Sequence, residues 1–333
     1  MSNPSRSVAL AQTAFKKGER NCPICGHKHH WHCSVTVDGS LAICSCVPSD
    51  RRATDGRYLH VLREAQTTVP TTPIRDYGIV EVEAAEPERR DAVYRTMLES
   101  LELTGAHGDH LLDERGLSDT TIATNLYASV PDARQARVLC DELSCRFDLS
   151  RIPGFYWHDG CWTLNAHGSG FFVPYRDASG RIVGLQIRLD AGGVRYVWLS
   201  SKDKPQGASP GAPLHFTKPD LARLLGIVIV TEGALKADII SDRLHAPTVA
   251  VAGVSAVKPE MVLSELRDGL PGLQNIALAF DRDWLDKPQV RLALKRMLEA
   301  FRGSEFMVEV LSWDSPYGKG LDDVLSVLER EVA

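Results

Sequence analysis

The sequence predicts an α/β protein whose last third folds as a parallel sheet covered by helices. An α+β region precedes it, and a small β unit built on cysteines lies at the N-terminus. Three observations carry that expectation. From residue 226 onward, short continuous apolar runs alternate with segments of helical period. Strand-like runs punctuated by turn residues occupy residues 152–216. Five of the eight cysteines fall within residues 22–46. At 333 residues, with 44% apolar and 24% charged side chains, the composition is that of a globular chain with room for two or three domains.

The N-terminal residues Met1–Arg20 lack the apolar core of a secretory signal, and no apolar run is long enough to span a bilayer, so a cytoplasmic protein is expected. In such a compartment dense cysteines indicate a metal site and not a disulfide frame. Cys22-Pro23-Ile24-Cys25-Gly26 makes a tight knuckle whose two thiolates converge on one ion. Ser34–Val37 and Leu41–Ile43, split by Asp38-Gly39, read as a β-hairpin that carries Cys33 and Cys44 back to the knuckle. Four thiolates suit tetrahedral zinc in a closed, structural site, and so small a unit needs the metal to fold. Cys22, Cys25, Cys33 and Cys44 are the expected ligands; His30, His32 and Cys46 are substitutes that spacing leaves open. A redox Cys-x-x-Cys would be followed by a helical pattern, which is missing here. Cys140, Cys145 and Cys161 are scattered and read as buried thiols.

Residues 66–73, rich in Thr and Pro, form a linker. From Arg89 the spacing of Val93, Met97, Leu101 and Leu103 is helical, and Ser118 is placed to cap a helix over Thr120–Asn125. This segment carries no catalytic signature; His107 and His110, three apart on an exposed helix, are not expected to bind metal. Next come Gly170–Tyr175, a turn at Asp177–Gly180, Ile182–Arg188 and a third strand at Val194–Leu199. Arg176, Arg188, Arg195, Lys202 and Lys204 accompany Tyr196 and Trp198 there, an interleaving that suits stacked bases and paired phosphates, although a sheet with one solvated face gives the same pattern. Charge is segregated as well: residues 151–225 carry nine Lys and Arg against five Asp and Glu, whereas residues 226–333 carry twelve against seventeen.

In the last third, strands are expected at Gly226–Val230, Thr248–Ala252, Asn275–Phe280 and Phe306–Leu311. Helices are expected at Ala234–Leu244, Lys258–Leu270 and Pro288–Phe301. Ligands of such sheets bind outside the C-terminal strand edge. Glu232, Asp281 and Asp283 all follow strand ends, and three carboxylates gathered there repel one another unless a cation such as Mg²⁺ lies between them.

Glu232-Gly233 after one strand and Asp281-Arg282-Asp283 after a later one resemble the marks of a TOPRIM domain, the Rossmann-like fold shared by DnaG-type primases, topoisomerases and certain nucleases. Phe172-Val173-Pro174, Gly180–Gly184, Arg188 and Arg195-Tyr196 ahead of it, and the cysteine unit before them, resemble the order found in DnaG-type primases. Thr231–Asp238 and Lys319–Asp323 resemble most closely the TOPRIM proteins of phages, plasmids and integrative elements. The likeness covers the zinc ribbon and residues from about 152 on. The chain departs from the primase pattern in two places: Lys236 stands where an acidic residue is usual, and Gly320-Leu321-Asp322 replaces a late Asp-Pro-Asp, so one aspartate keeps its place. Lys236 there either holds a phosphate or neutralises a carboxylate.

The resemblance implies a zinc ribbon over residues 1–65, a linker over 66–88, a helical segment over 89–150, a basic primase-like subdomain over 151–225 and a TOPRIM domain over 226–333. It implies a DnaG-like DNA primase, a nucleotidyltransferase that makes short primers on single-stranded DNA from nucleoside triphosphates. Structural Zn²⁺ and catalytic Mg²⁺ or Mn²⁺ go with that activity. Glu232, Asp281, Asp283 and Asp322 are the implied magnesium ligands. Arg188, Arg195, Lys202 and Lys236 would contact nucleotide or template, and Trp31 would stack on a base. No phosphate-loop motif for a fused motor occurs, which points to a separate replicative helicase. The alternatives are a metal-dependent TOPRIM nuclease and a non-catalytic nucleic-acid adaptor with a degenerate TOPRIM domain; a topoisomerase would need strand-gating domains for which the chain has no room.

Overall fold

A computed structural model of the chain describes residues 12–14, 22–25, 33–36, 41–44, 46–49, 58–62, 82–166, 168–253, 257–282 and 288–332. It divides into two compact units, Met1–Gly78 and Ile79–Ala333. In the first, β1 (Gln12–Ala14), β2 (Ser34–Thr36), β3 (Leu41–Cys44) and β4 (Tyr58–Val61) form an antiparallel sheet in that order. The expected hairpin is the β2–β3 pair, with Ser34 opposite Ile43 and Val35 opposite Ala42. Its turn lies outside the described residues. The flanking strands β1 and β4 had no signal in the sequence strong enough to separate them from loop.

The second unit begins with α1 (Pro87–Glu99), followed by α2 (Gly105–Asp109), which runs on into a π-helical turn at His110–Glu114. Next are α3 (Asp119–Asn125), β5 (Ala128–Ser129) and α4 (Ala133–Ser144). The Ser118 hydroxyl caps α3 by accepting from Thr121 N at 3.2 Å, as its spacing predicts. A capping box starts α4: Asp132 Oδ1 accepts from Gln135 N, and Gln135 Oε1 accepts from Asp132 N. A hairpin of β6 (Phe155–His158) and β7 (Cys161–Leu164) stands by itself.

The strands β8 (Gly170–Arg176), β9 (Ile182–Leu189) and β10 (Tyr196–Trp198) form an antiparallel sheet with β5, in the order β10-β9-β8-β5. This sheet has no solvated broad face at its centre. Phe172, Leu185 and Ile187 pack against Tyr94 and Met97 of α1 and Leu139 and Leu143 of α4. Phe171, Val173 and Tyr175, on alternate positions of β8, face the other way. They meet residues of the C-terminal third.

That third comprises β11 (His215–Thr217), α5 (Pro219–Leu225), β12 (Ile227–Glu232), α6 (Ala234–Leu244), β13 (Thr248–Val251), α7 (Pro259–Gly269), β14 (Asn275–Leu278), α8 (Pro288–Arg302), β15 (Met307–Val310) and α9 (Leu321–Val332). The sheet order is β11-β13-β12-β14-β15, with β13, β12, β14 and β15 mutually parallel and β11 antiparallel at the edge. The mixed α/β class and the alternation from residue 226 are thus as the apolar pattern predicts. Strand β11 and helices α5 and α9 are additions. Val228 and Val230 of β12 join Val262 and Leu266 of α7 and Met297 and Phe301 of α8 in one core. Ala234, Leu235 and Ile239 of α6 instead pack on Phe171, Val173 and Tyr175. Each large side chain buried there contributes roughly 1.5–3 kcal/mol, which fixes α6 between the two sheets. No helix among the described residues is long and apolar enough to cross a membrane.

Candidate functional site

Glu232 is the last residue of β12, and the chain turns from strand into α6 at Gly233, whose φ of +81° a side chain would strain. Gly233 N donates to Val251 O at 2.8 Å, which ties this turn to the end of the neighbouring strand. On the other side of β12, Ala279 N donates to Val230 O at 2.8 Å and Thr231 Oγ1 donates to Ala279 O at 3.0 Å. Asp281, two residues on and buried, therefore leaves the sheet at the same C-terminal edge as Glu232. The loop before α9 is tied to this exit, because Arg282 N donates to Lys319 O at 3.0 Å. It delivers Asp322, 2% exposed, on the first turn of α9.

The chain supplies positive charge to this edge itself. Lys236, on the first turn of α6, donates from Nζ to Asp281 Oδ1, and the same Nζ lies 4.0 Å from Asp322 Oδ1. Lys319 Nζ is 3.0 Å from Asp281 Oδ2, and Arg115 Nη2 is 2.7 Å from Asp322 Oδ2. Arg243 braces the same corner, with Nη1 2.6 Å from Ser326 Oγ and Nη2 3.1 Å from Arg115 O. Asp322 Oδ1 is buried and accepts no hydrogen bond among the described residues. A Cβ at Gly320 would lie 2.3 Å from Asp322 Oδ1, 2.9 Å from Asp281 Oδ1 and 3.0 Å from Lys236 Nζ, so the space between these groups exists because position 320 has no side chain. Among the described residues Glu232, Asp281 and Asp322 do not gather their oxygens within 4.8 Å of one another, as the four cysteines below do. Asp283 lies outside the described residues, as do Trp31, His30 and His32.

Of these groups, Arg115 was not picked out by the sequence, and Lys319 was noted only as the first residue of the Lys319–Asp323 motif, without a role. Arg115 belongs to the helical segment read as chemically silent and meets Asp322 across 207 positions, a pairing no local pattern announces. Asp238, the last residue of the Thr231–Asp238 motif, is turned away from this edge. It accepts from Tyr127 OH at 2.5 Å and from His215 Nε2 at 3.1 Å. Arg176 N donates to His215 Nδ1, which leaves the ring proton on Nε2, facing Asp238. Burial, and next the charge of Asp238, hold the Tyr127 phenol well above its ordinary pKa, so it stays a donor. This is a tie between the α3–β5 region, β11 and α6.

Of the basic residues singled out, Arg188 on β9 is half-buried with its guanidinium 5.4 Å from the centre of the Phe171 ring. Arg195 and Lys202, on either side of β10, are exposed. Lys204 Nζ stands 4.6 Å over the Tyr156 ring. The His107–His110 pair departs from the expected exposed helix face: both side chains are largely buried. His107 Nδ1 meets Ser129 Oγ at 2.7 Å and its Nε2 meets Asp190 Oδ1 at 3.1 Å, while His110 Nδ1 meets Glu114 Oε2 at 2.6 Å.

In the N-terminal unit the Sγ atoms of Cys22, Cys25, Cys33 and Cys44 all lie within 4.8 Å of one another. The Cys33–Cys44 and Cys25–Cys33 separations are 3.8 and 4.0 Å. Tetrahedral zinc with bonds near 2.3 Å requires sulfurs about 3.8 Å apart, so the donor set fits that ion. Cys46 is exposed and not one of these four, though its side chain neighbours Cys25 and Cys44; its backbone N donates to Cys44 Sγ at 3.4 Å. Cys140 is a buried thiol, its pKa pushed up to about 12 by burial. Cys145 and Cys161 correct the expectation of buried thiols: the first, just beyond the end of α4, is exposed, and the second, at the start of β7, is half-buried.

The family described as a domain of unknown function, DUF3854, matches residues 223–331, about a third of the chain. No curated protein matches the sequence. Among solved structures, the Aquifex aeolicus primase, comprising zinc-binding and RNA polymerase domains, aligns at TM-score 0.54 and 12% identity over 97% of this chain and 80% of its own. A DnaG primase catalytic domain bound to single-stranded DNA aligns at TM-score 0.53 and 15% identity over 74% and 76%. The RNA polymerase domain of Mycobacterium tuberculosis DnaG aligns at TM-score 0.52 and 16% identity over 74% and 82%. The structural neighbours are thus DnaG primase catalytic and RNA polymerase domains. At these identities the likeness is one of fold.

Proposed function

We propose that the chain is a DnaG-like primase of a mobile genetic element, with a TOPRIM domain over residues 226–333 that joins nucleotides on single-stranded DNA. The observation that carries the reading is the C-terminal sheet edge, where Glu232 and Asp281 leave neighbouring strands and α9 brings in the buried Asp322. The donor set fits a hard divalent ion in its chemistry: its oxygens are carboxylates, and the buried Asp322 Oδ1 accepts no hydrogen bond among the described residues. In this reading Glu232, Asp281, Asp283 and Asp322 hold Mg²⁺ or Mn²⁺, which supplies Lewis-acid charge neutralisation at the nucleotide phosphates.

The chain's own residues do the rest. Lys319, half-exposed on Asp281, is placed to move onto a phosphate. Arg188, Arg195 and Lys202 bind template or triphosphate electrostatically, and Trp31 stacks on a template base. The primer 3′-oxygen forms the new bond to the α-phosphorus, its proton departs to solvent, and the α–β bridge breaks to release pyrophosphate. A separate helicase opens the duplex. One observation favours a second reading, a non-catalytic adaptor: Lys236 and Lys319 already occupy both oxygens of Asp281.

The test is incorporation of labelled nucleotides on unprimed single-stranded DNA with Mg²⁺ or Mn²⁺, comparing wild type with Glu232→Gln. The wild type should yield short products and the variant at least ~100-fold fewer. Equal behaviour of the two would remove the assignment.

A further inference from the structure

We propose that Lys236 is a built-in counter-ion occupying the position of a second divalent cation, so that this centre takes one ion and not two. The inference rests on reading the sheet edge as a divalent-cation site. Its basis is the charge held there. Asp281 and Asp322 face one another across Lys236, whose ammonium bonds Asp281 Oδ1 and stands 4.0 Å from Asp322 Oδ1. Two carboxylates so placed would otherwise bridge an ion. A dication entering that gap would meet the ammonium head-on, and its repulsion there is twice that of a single charge.

The remaining oxygens sort the cations by exposure. Asp322 Oδ2 is held by Arg115 at 2.7 Å, and Asp281 Oδ2 by Lys319 at 3.0 Å. The Lys319 side chain is 53% exposed, whereas that of Lys236 is 24% exposed and rooted on α6 between two sheets. A single ion would be held on the Glu232 and Asp281 side of this gap, where the more exposed Lys319 is the counter-ion, with Lys236 left in place. A second pointer to a cation position is Asp322 Oδ1, on a side chain 3% exposed, which accepts no hydrogen bond and faces Lys236. Gly320 completes the device. A Cβ there would come within 3.0 Å of Lys236 Nζ, so the absent side chain at 320 and the ammonium at 236 share one space.

The experiment is a Mn²⁺ titration of the full-length, zinc-loaded chain, read by the electron paramagnetic resonance signal of free Mn²⁺. The wild type and Lys236→Arg should bind one ion per chain. Lys236→Gln and Lys236→Glu should bind a second ion, or bind the first at least tenfold tighter. Lys236→Gln keeps the test open should the charge reversal fail to fold. Two ions on the wild type, none at all, or variants indistinguishable from wild type would each overturn the proposal. A chain that binds two ions and still makes primers sinks this inference alone. One that binds a single ion, responds to Lys236→Gln and makes no primers sinks only the polymerase reading.

Discussion

A Cβ on residue 320 would stand 2.3 Å from Asp322 Oδ1 and 2.9 Å from Asp281 Oδ1, and the nearby ion pairs leave these carboxylates little freedom to withdraw. Gly320→Ala should therefore leave the fold intact, since only side-chain tips are struck, and lower nucleotide incorporation by about 100-fold, the usual cost of ångström-scale misplacement at a reacting centre. Thermal melting beside the incorporation assay checks this; full activity would show that the cradle has no part in the chemistry. Glu232 and Asp281 were legible in the sequence because each follows a strand end, and strand ends can be read from where apolar runs stop; Asp322 was reached only through the likeness of Lys319–Asp323, since α9 was not expected. The cations opposing them were legible only in part. Lys236 drew notice by its position in the Thr231–Asp238 motif, but Arg115 meets Asp322 through tertiary packing between segments that share no pattern.

Secondary elements followed the sequence where one physical signal dominated. The helix over Ala234–Leu244 has the expected bounds because Gly233 opens it and His245, in a left-handed conformation, closes it. Strands β8 and β9 were legible as strands, but not as strands covered on both faces; the residues that cover them come from α1, α4 and α6, far along the chain. The two-residue β5 carries too few side chains for any periodicity. In the cysteine unit, spacing favoured Cys22, Cys25, Cys33 and Cys44 but left Cys46, His30 and His32 open as substitutes, and the exposure of Cys46 was not foreseeable from it. Metal binding to such a unit is its folding free energy, on the order of 10 kcal/mol. Zinc released by a thiol-modifying reagent and counted colorimetrically should equal one ion per wild-type chain and fall to none in Cys33→Ser. The melting of residues 79–333, which have cores of their own, should stay unchanged. Unaltered zinc content in the variant would contradict the four-thiolate site.

At the scale of the second unit, the device that matters is α6 held between two sheets. Its apolar residues dock on Phe171, Val173 and Tyr175, the buried Tyr127–Asp238–His215 tie locks its centre, and its first turn carries Lys236 to the strand edge beside Glu232 and Asp281. The corner's geometry is thus set by the union of the two sheets, and Arg115, from outside the C-terminal third, closes it over Asp322. The account stands or falls on a divalent cation residing at this corner. Anomalous scattering from crystals of the chain soaked in Mn²⁺ tests that claim most directly. The account predicts one manganese peak within coordinating reach of Glu232 and Asp281, with Asp322 and Asp283 nearby and Lys236 still bonded to Asp281. Manganese-soaked crystals with Lys319 and Lys236 both on Asp281, and no peak at the strand edge, would contradict it.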